Sequence, residues 1–263
     1  QTLYCLLNDS MVMSLMIEWR NGHENLLGGK ICLFSLPGVG NIGKAAIDAL
    51  NSTNDATEIA RLHHTALPPL ATLDEDGLLS PPHLSIRAIP ISEGEYLLTL
   101  SGNSQPLEPN NQGVLAREIL ELMQEYQVSE LIVLAGMVDD AARKEIFIVP
   151  SSSSYRVDLE SRGANVRRDE PSSGAIGLAA LLSSLGPVYG IDSACAIATT
   201  VGASGDIIAS QNLLRSIDKW FGLNLVIPKD ANEKLFEKLK QISPQRQDDL
   251  VSELTQSHDA FYM

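Results

Sequence analysis

The chain has 263 residues, 44% of them hydrophobic, which is enough for one substantial core built mainly from Leu, Ile, Val and Ala, since aromatics are only 5%. A net charge of -14 without a cluster of Lys and Arg excludes non-specific nucleic-acid binding and leaves solubility or a basic protein partner as the use of the acidic surface. Cys5, Cys32 and Cys195 are scattered, with neither C-x-x-C nor Cys/His spacing, so no metal site is expected and the thiols read as reduced, in a cytoplasmic protein. The apolar run at residues 11–17 is too short to span a bilayer, and no signal peptide is evident, so no membrane association is expected.

In chain order, residues 12–19 read as a strand closed by Asn21-Gly22, and residues 30–35 as a second strand ending at Pro37. Residues 38–43 form a glycine-rich turn that opens a helix over 42–50, with Ala45, Ala46 and Ala49 as small packing residues. Residues 58–65 suit a strand, and 67–82, rich in proline and acidic residues, a surface loop. Two further strands, 83–91 and 96–101, meet at Gly94. Leu115, Ile119, Leu122 and Tyr126 recur at helical spacing, and the continuous apolar run 130–136 that follows suits a strand buried on both faces. A short strand at 145–149, a polar turn at 151–154 and a short helix at 155–162 come next. Residues 174–185 are apolar all round, which predicts a buried helix. Residues 194–201 are strand-like and 206–221 amphipathic.

The final part changes character. Asp230 and Glu233 can form a capping box for a helix with an Ala231, Leu235, Leu239, Ile242 stripe. Ser243-Pro244 restarts a thinner helix with Leu250, Val251 and Leu254 on one face. The expected division is a core over residues 1–229, a helical extension over 230–257 and a free tail over 258–263. Alternating strands and helices predict an α/β sandwich on a largely parallel sheet.

The turn Gly38-Val39-Gly40-Asn41-Ile42-Gly43 has G-x-G-x-x-G spacing between a strand and a helix. One reading is a dinucleotide loop, in which glycines let a pyrophosphate approach the helix N-terminus. The other is structural, with glycines that let the helix pack closely on the sheet. The next strand ends in His63-His64, where an acidic ribose ligand would be needed, and Glu58 falls too early. Pro37 before the first glycine suits a rigid strand-to-helix turn. Adjacent His63 and His64 point to opposite faces of a strand and cannot share one ion. Asp139-Asp140 sits where α/β sites occur, but also suits a helix N-cap. Cys195 reads as a small core residue, and no nucleophile-base-orienter set emerges, so no catalytic residue is expected.

Pro37-Gly38-Val39-Gly40-Asn41-Ile42-Gly43-Lys44, after an apolar strand and before an Ala-rich helix, resembles the opening signature of the proteasome assembly chaperone family, nearest its archaeal branch and eukaryotic proteasome assembly chaperone two. The apolar strand ending at Ala135-Gly136, the stretch Ser173-Gly174-Ala175-Ile176-Gly177-Leu178, and the helix leading to a strand within 206–224 fit the same pattern. Ser35-Leu36-Pro37-Gly38 departs from the usual Gly-Phe-Pro-Gly, and 196–205 lacks the family's proline-rich turn. The resemblance implies a three-layer α/β/α fold similar to nucleoside phosphorylases, no enzymatic activity and no cofactor.

The last three residues, Phe261, Tyr262 and Met263, resemble the hydrophobic-tyrosine-X tail with which proteasome activators and assembly factors enter pockets between α-subunits of the core particle. An apolar ring, a phenol hydroxyl and a terminal carboxylate are suited to an apolar pocket with a cation at its rim. The implied partner is the proteasome α-ring, bound by a symmetric homo-oligomer whose several tails raise avidity. The alternative is a nucleotide- or nucleoside-binding enzyme using Pro37, Gly38, Gly40, Asn41 and Gly43, with Arg61, Arg87, Arg143 and Asp139 as loose candidates for a phosphate or base site.

Overall fold

The computed structural model describes residues 15–20, 23–73, 76–172, 174–202 and 205–227. The expected helices at 230–257 and the tail at 258–263 lie outside the described residues, as does the Asn21-Gly22 turn.

The elements in chain order are β1 (Leu15–Trp19), β2 (Gly29–Ser35), α1 (Ile42–Thr53), β3 (Thr57–His64), β4 (Thr72–Leu73), β5 (Leu79–Ser80), β6 (Leu84–Ser92), β7 (Glu95–Gly102), α2 (Pro109–Glu125), β8 (Glu130–Val138), β9 (Ile146–Pro150), α3 (Ser153–Ser161), α4 (Leu178–Leu185), β10 (Asp192–Thr200) and α5 (Ile207–Phe221). Eight strands form one sheet in the order β1-β3-β6-β7-β2-β8-β10-β9. The middle strands β7, β2, β8 and β10 are parallel, and β3 runs with them, so five of the eight strands share one direction. β1, β6 and β9 run antiparallel to their neighbours. The 67–82 stretch contains the small β4-β5 ladder rather than loop alone.

Period-two alternation sends successive residues to opposite faces and creates two cores. Cys32, Phe34, Leu131, Val133, Cys195 and Ile197 face α2 and α4. Leu33, Ile132, Leu134, Ala194 and Ala196 face α1, α3 and α5. These are the three expected layers. A bulge in β3 between Glu58 and Ala60 turns both Ile59 and Ala60 toward the α2 core, so Glu58 and Arg61 share the other face despite being three apart.

Helix ends follow local chemistry. The Ser152 hydroxyl accepts from the Tyr155 amide at 3.1 Å to start α3, and Asp206 accepts from the Ala209 amide at 3.0 Å to start α5. α5 closes on Gly222 in the left-handed region at φ 64°. Pro109 opens α2 at its first turn.

Three expectations are corrected. The helix predicted from residue 174 starts at Leu178, because Gly174 and Gly177 adopt φ of 76° and 97°, and it is half-buried rather than enclosed. Asp139 and Asp140 cap no helix: Asp140 accepts from the Ala142 amide at 3.0 Å in a turn leading to β9. Among the described residues no strand follows α5; the segment after Gly222 is held by Asp218, which accepts from the Leu225 amide at 2.9 Å, and by Thr53 and Asn54, which donate to the Val226 carbonyl.

Candidate functional site

The carboxyl ends of β2, β7, β8 and β10 converge on the glycine-rich turn. Gly38 is extended, and a single 3₁₀ turn, Val39–Asn41, carries two consecutive left-handed residues, Gly40 at φ 60° and Asn41 at φ 52°. Glycine adopts this region freely and asparagine is among the few other residues that tolerate it. Gly43 then lies in the first turn of α1 directly on β8, where an added Cβ would overlap the Leu134 carbonyl and the Ser35 hydroxyl. Gly136 in turn receives the Val39 carbonyl where a side chain would stand. The two glycines bring α1 and β8 together at backbone distance.

The carbonyls of Pro37, Gly38 and Gly40 and the Asn41 amide are engaged by the protein itself. The Gly205 amide donates to the Gly40 carbonyl at 3.0 Å, the Asn41 amide to the Gly38 carbonyl at 2.9 Å, and the Gln105 side-chain amide to the Pro37 carbonyl. The crevice beside the turn, between Ser35, Val39, Gly43, Gln105 and Gly136, has room for about one water molecule. Small-molecule sites are typically about 300–1,000 Å³. Lys44, which completes a G-x-x-x-x-G-K spacing from Gly38, does not face the turn: its ammonium is buried and donates to both Asp48 oxygens at 2.5 and 2.6 Å, one turn along α1. The geometry matches the structural reading of the glycines.

The loose arginine candidates fall into two separate groups. Arg61 and Arg87 reach Glu58 on the β3-β6 side, at 2.9 and 3.9 Å. Burial raises the Glu58 carboxyl, but the Ser85 hydroxyl and these guanidiniums outweigh it and hold Glu58 below the usual range. Arg143, beyond β8 toward the opposite edge, meets Asp139, Glu145 and Glu170 at 2.8, 2.7 and 2.5 Å. Hydrogen bonding from Arg143 holds Glu170 low. Each arginine already has carboxylate partners, and the two groups stand on opposite sides of the sheet's centre.

His63 and His64 point to opposite faces, as expected. His63 meets Glu18 at 3.1 Å and the Pro82 carbonyl. His64 is enclosed with Glu118 of α2, its Nε2 lying 3.2 Å from the carboxylate while Nδ1 accepts the Ala66 amide at 2.9 Å. That acceptor role places the ring proton on Nε2, and burial holds the imidazole below its ordinary value. Among the described residues no group of three or more His, Cys, Asp or Glu is placed to hold a metal ion. Cys32 and Cys195 are buried, with thiols pushed up to about 12 by burial, and Ser151 hydrogen-bonds Ser193 within the core wall. No helix among the described residues is long and apolar enough to cross a membrane.

A model of the PAC2 family matches residues 33–246, from β2 through the glycine turn and beyond α5. The chain belongs to the PAC2 family. A curated relative within reach, protein MJ1210 of Methanocaldococcus jannaschii, is 23% identical over 220 residues, covering 82% of this chain and 84% of its own. Among solved structures, Pyrococcus furiosus PbaA, an archaeal homologue of proteasome-assembly chaperone, superposes with a TM-score of 0.70 at 21% identity, covering 91% of this chain and 99% of its own. Pyrococcus furiosus PbaB, an archaeal proteasome activator, does so with a TM-score of 0.70 at 20% identity, covering 92% and 99%. The α/β fold is therefore the family fold. Phe261, Tyr262 and Met263 lie outside the described residues. Two features escaped the sequence reading: Lys44, whose partner one helical turn away is legible in the spacing, and the outward face of α4, whose exposure is not.

Proposed function

We propose that this chain is a non-enzymatic proteasome-binding protein, an assembly chaperone or an ATP-independent activator, acting in the cytoplasm. The observation that carries the reading is the PAC2 match over 33–246 in a chain that also ends Phe261-Tyr262-Met263. In the mechanism, Phe261 fills an apolar pocket between neighbouring α-subunits, Tyr262 hydrogen-bonds at its rim, and the Met263 carboxylate pairs with a cation in the pocket. One short tail binds weakly, and several tails on one symmetric homo-oligomer bind together with an affinity raised by a factor of about 10²–10⁴. The internal engagement of the glycine turn, with space for about one water, favours this reading over a nucleotide enzyme.

The test is a pull-down of purified proteasome core particle and free α-rings by the full chain and by a chain ending at Ala260. Binding by the full chain alone is expected. Equal binding by both would sink tail docking.

A further inference from the structure

We propose that residues 163–172 form a strap that guards the outer edge of β9, and that the Arg143 guanidinium is the latch that holds this strap closed.

β9 ends the sheet and has a strand, β10, on one side only. Unpaired peptide groups along such an edge can pair with any extended chain. Here the strap supplies their partners. The Ile148 amide donates to the Asn165 carbonyl at 2.9 Å, and the Arg167 amide donates to the Ile148 carbonyl at 3.0 Å. The Asn165 side-chain amide donates to the Ile146 carbonyl at 2.8 Å. The result is a single parallel bridge, Ile148 to Val166, and not a ladder.

Burial does little to hold the strap. Residues 163–172 lie outside every helix and strand described, and none of them is buried. Ala164 and Val166 are half-buried against the α1-side core. A segment with so few buried apolar contacts opens locally, well below the free energy of unfolding the whole domain.

The fastening is ionic. Arg143 stands in the turn between β8 and β9 and uses all its N–H groups. Nε and one terminal nitrogen grip Glu145 at 3.0 and 2.7 Å, and both terminal nitrogens grip Glu170 at 2.9 and 2.5 Å. The remaining donor meets Asp139 at 2.8 Å. Asp139 and Glu145 flank Arg143 in its own turn, whereas Glu170 comes from the strap. The turn is a fixed mount: the buried Thr199 hydroxyl of β10 accepts from the Glu145 amide and donates to the Arg143 carbonyl, both at 2.8 Å. A planar guanidinium held this way grips one carboxylate bidentately and in one direction. The strap's other ion pairs are weaker holds. Arg168 and Glu160 are 65% and 40% exposed, and such pairs contribute little. Arg167 shares with Arg143 the same Glu145 oxygen. Without the Arg143 charge, Asp139, Glu145 and Glu170 would gather around Arg167 alone, and their repulsion would lift the strap.

The experiment is amide hydrogen exchange on the full-length chain, comparing wild type with Arg143→Gln and, separately, Glu170→Gln. The reporting amides are Ile148 and Arg167, whose bonds the strap itself makes, and the reference amides are those of β8 and β10 inside the sheet. Arg143→Gln is expected to speed exchange at Ile148 and Arg167 about tenfold or more, because hydrogen bonds to a charged group are among the stronger ones and exchange follows the open population. Glu170→Gln is expected to act in the same direction and less strongly, and the reference amides are expected to keep their wild-type rates. Glu170 lies on the strap, outside both cores, so this second variant carries the test if Arg143→Gln does not fold. Unchanged exchange at Ile148 and Arg167 in a folded variant overturns the proposal. So does an equal acceleration of the reference amides, which would mean that the strap opens only with the whole domain.

Discussion

α1 and α4 begin alike and end differently. Each follows a glycine-rich stretch, each seats Ala and aliphatic side chains, and each packs on the parallel centre of the sheet, α1 on one face and α4 on the other. α1 is seated at backbone distance through Gly43 and Gly136 and is flanked by α5, so that eight of its twelve residues are buried. α4 is seated by Leu178 and Leu182 and, among the described residues, has only the helix α2 beside it; three of its eight residues are buried. Similar composition therefore serves two ends. On α1 it closes a core within one chain, and on α4 it leaves an uncharged surface.

The largest break in this contrast is at Gly43. A side chain there must displace the Leu134 carbonyl, and backbone cannot step aside as a flexible side chain can. Gly43→Val is expected to cost about 3 kcal/mol, within the range for overpacking. For a domain of this size that lowers the melting temperature by roughly 6–12 °C. A melting temperature within about 2 °C of wild type would mean that α1 is not held at backbone distance.

α4 is sharpened by a pair of truncations. Leu182 is fully buried and Leu181 is its half-exposed neighbour. Leu182→Ala is expected to cost about 3 kcal/mol and Leu181→Ala less than about 1 kcal/mol by urea denaturation. Equal costs would show that α4 is covered on both sides within one chain.

Much of this arrangement was legible in the sequence, for identifiable reasons. The 3.6-residue stripe of α2 and the continuous apolar run of β8 are local signals, and local signals survive into the fold. The start of α4 was missed because Gly174-Ala175-Ile176-Gly177 is apolar like the helix, while the conformation of its glycines is invisible in composition. The β3 bulge that places Glu58 beside Arg61 leaves no mark in a single sequence. At the glycine turn, spacing alone fits both a dinucleotide loop and a packing device. What favours the packing device is a long-range fact, that Gly43 lies against the Leu134 carbonyl and Gly136 against the Val39 carbonyl. The exposure of α4 was beyond reach, because an all-apolar helix predicts burial without saying which molecule supplies the cover.

A third, smaller prediction concerns the layer that α4 shares with α2. Polar groups lie inside the α2 layer, where His64 and Glu118 are enclosed 3.2 Å apart. Burial holds the His64 imidazole below its ordinary value, and its Nδ1 is occupied as an acceptor for the Ala66 amide. Protonation would turn that acceptor into a donor facing another donor. In the unfolded chain histidine takes up its proton near pH 6.5, before the folded protein does. The unfolded state therefore binds more protons in this window, and stability falls as the pH drops through that value, levelling below the folded value. The carboxylates held low, Glu58 and Glu170, act below about pH 4.5 and stay out of this window. Urea midpoints are expected to be lower at pH 5.5 than at 7.5 for the wild type. His64→Asn, whose side-chain oxygen can still accept the Ala66 amide, is expected to lose part of that difference. An equal pH dependence in both would remove His64 as its source.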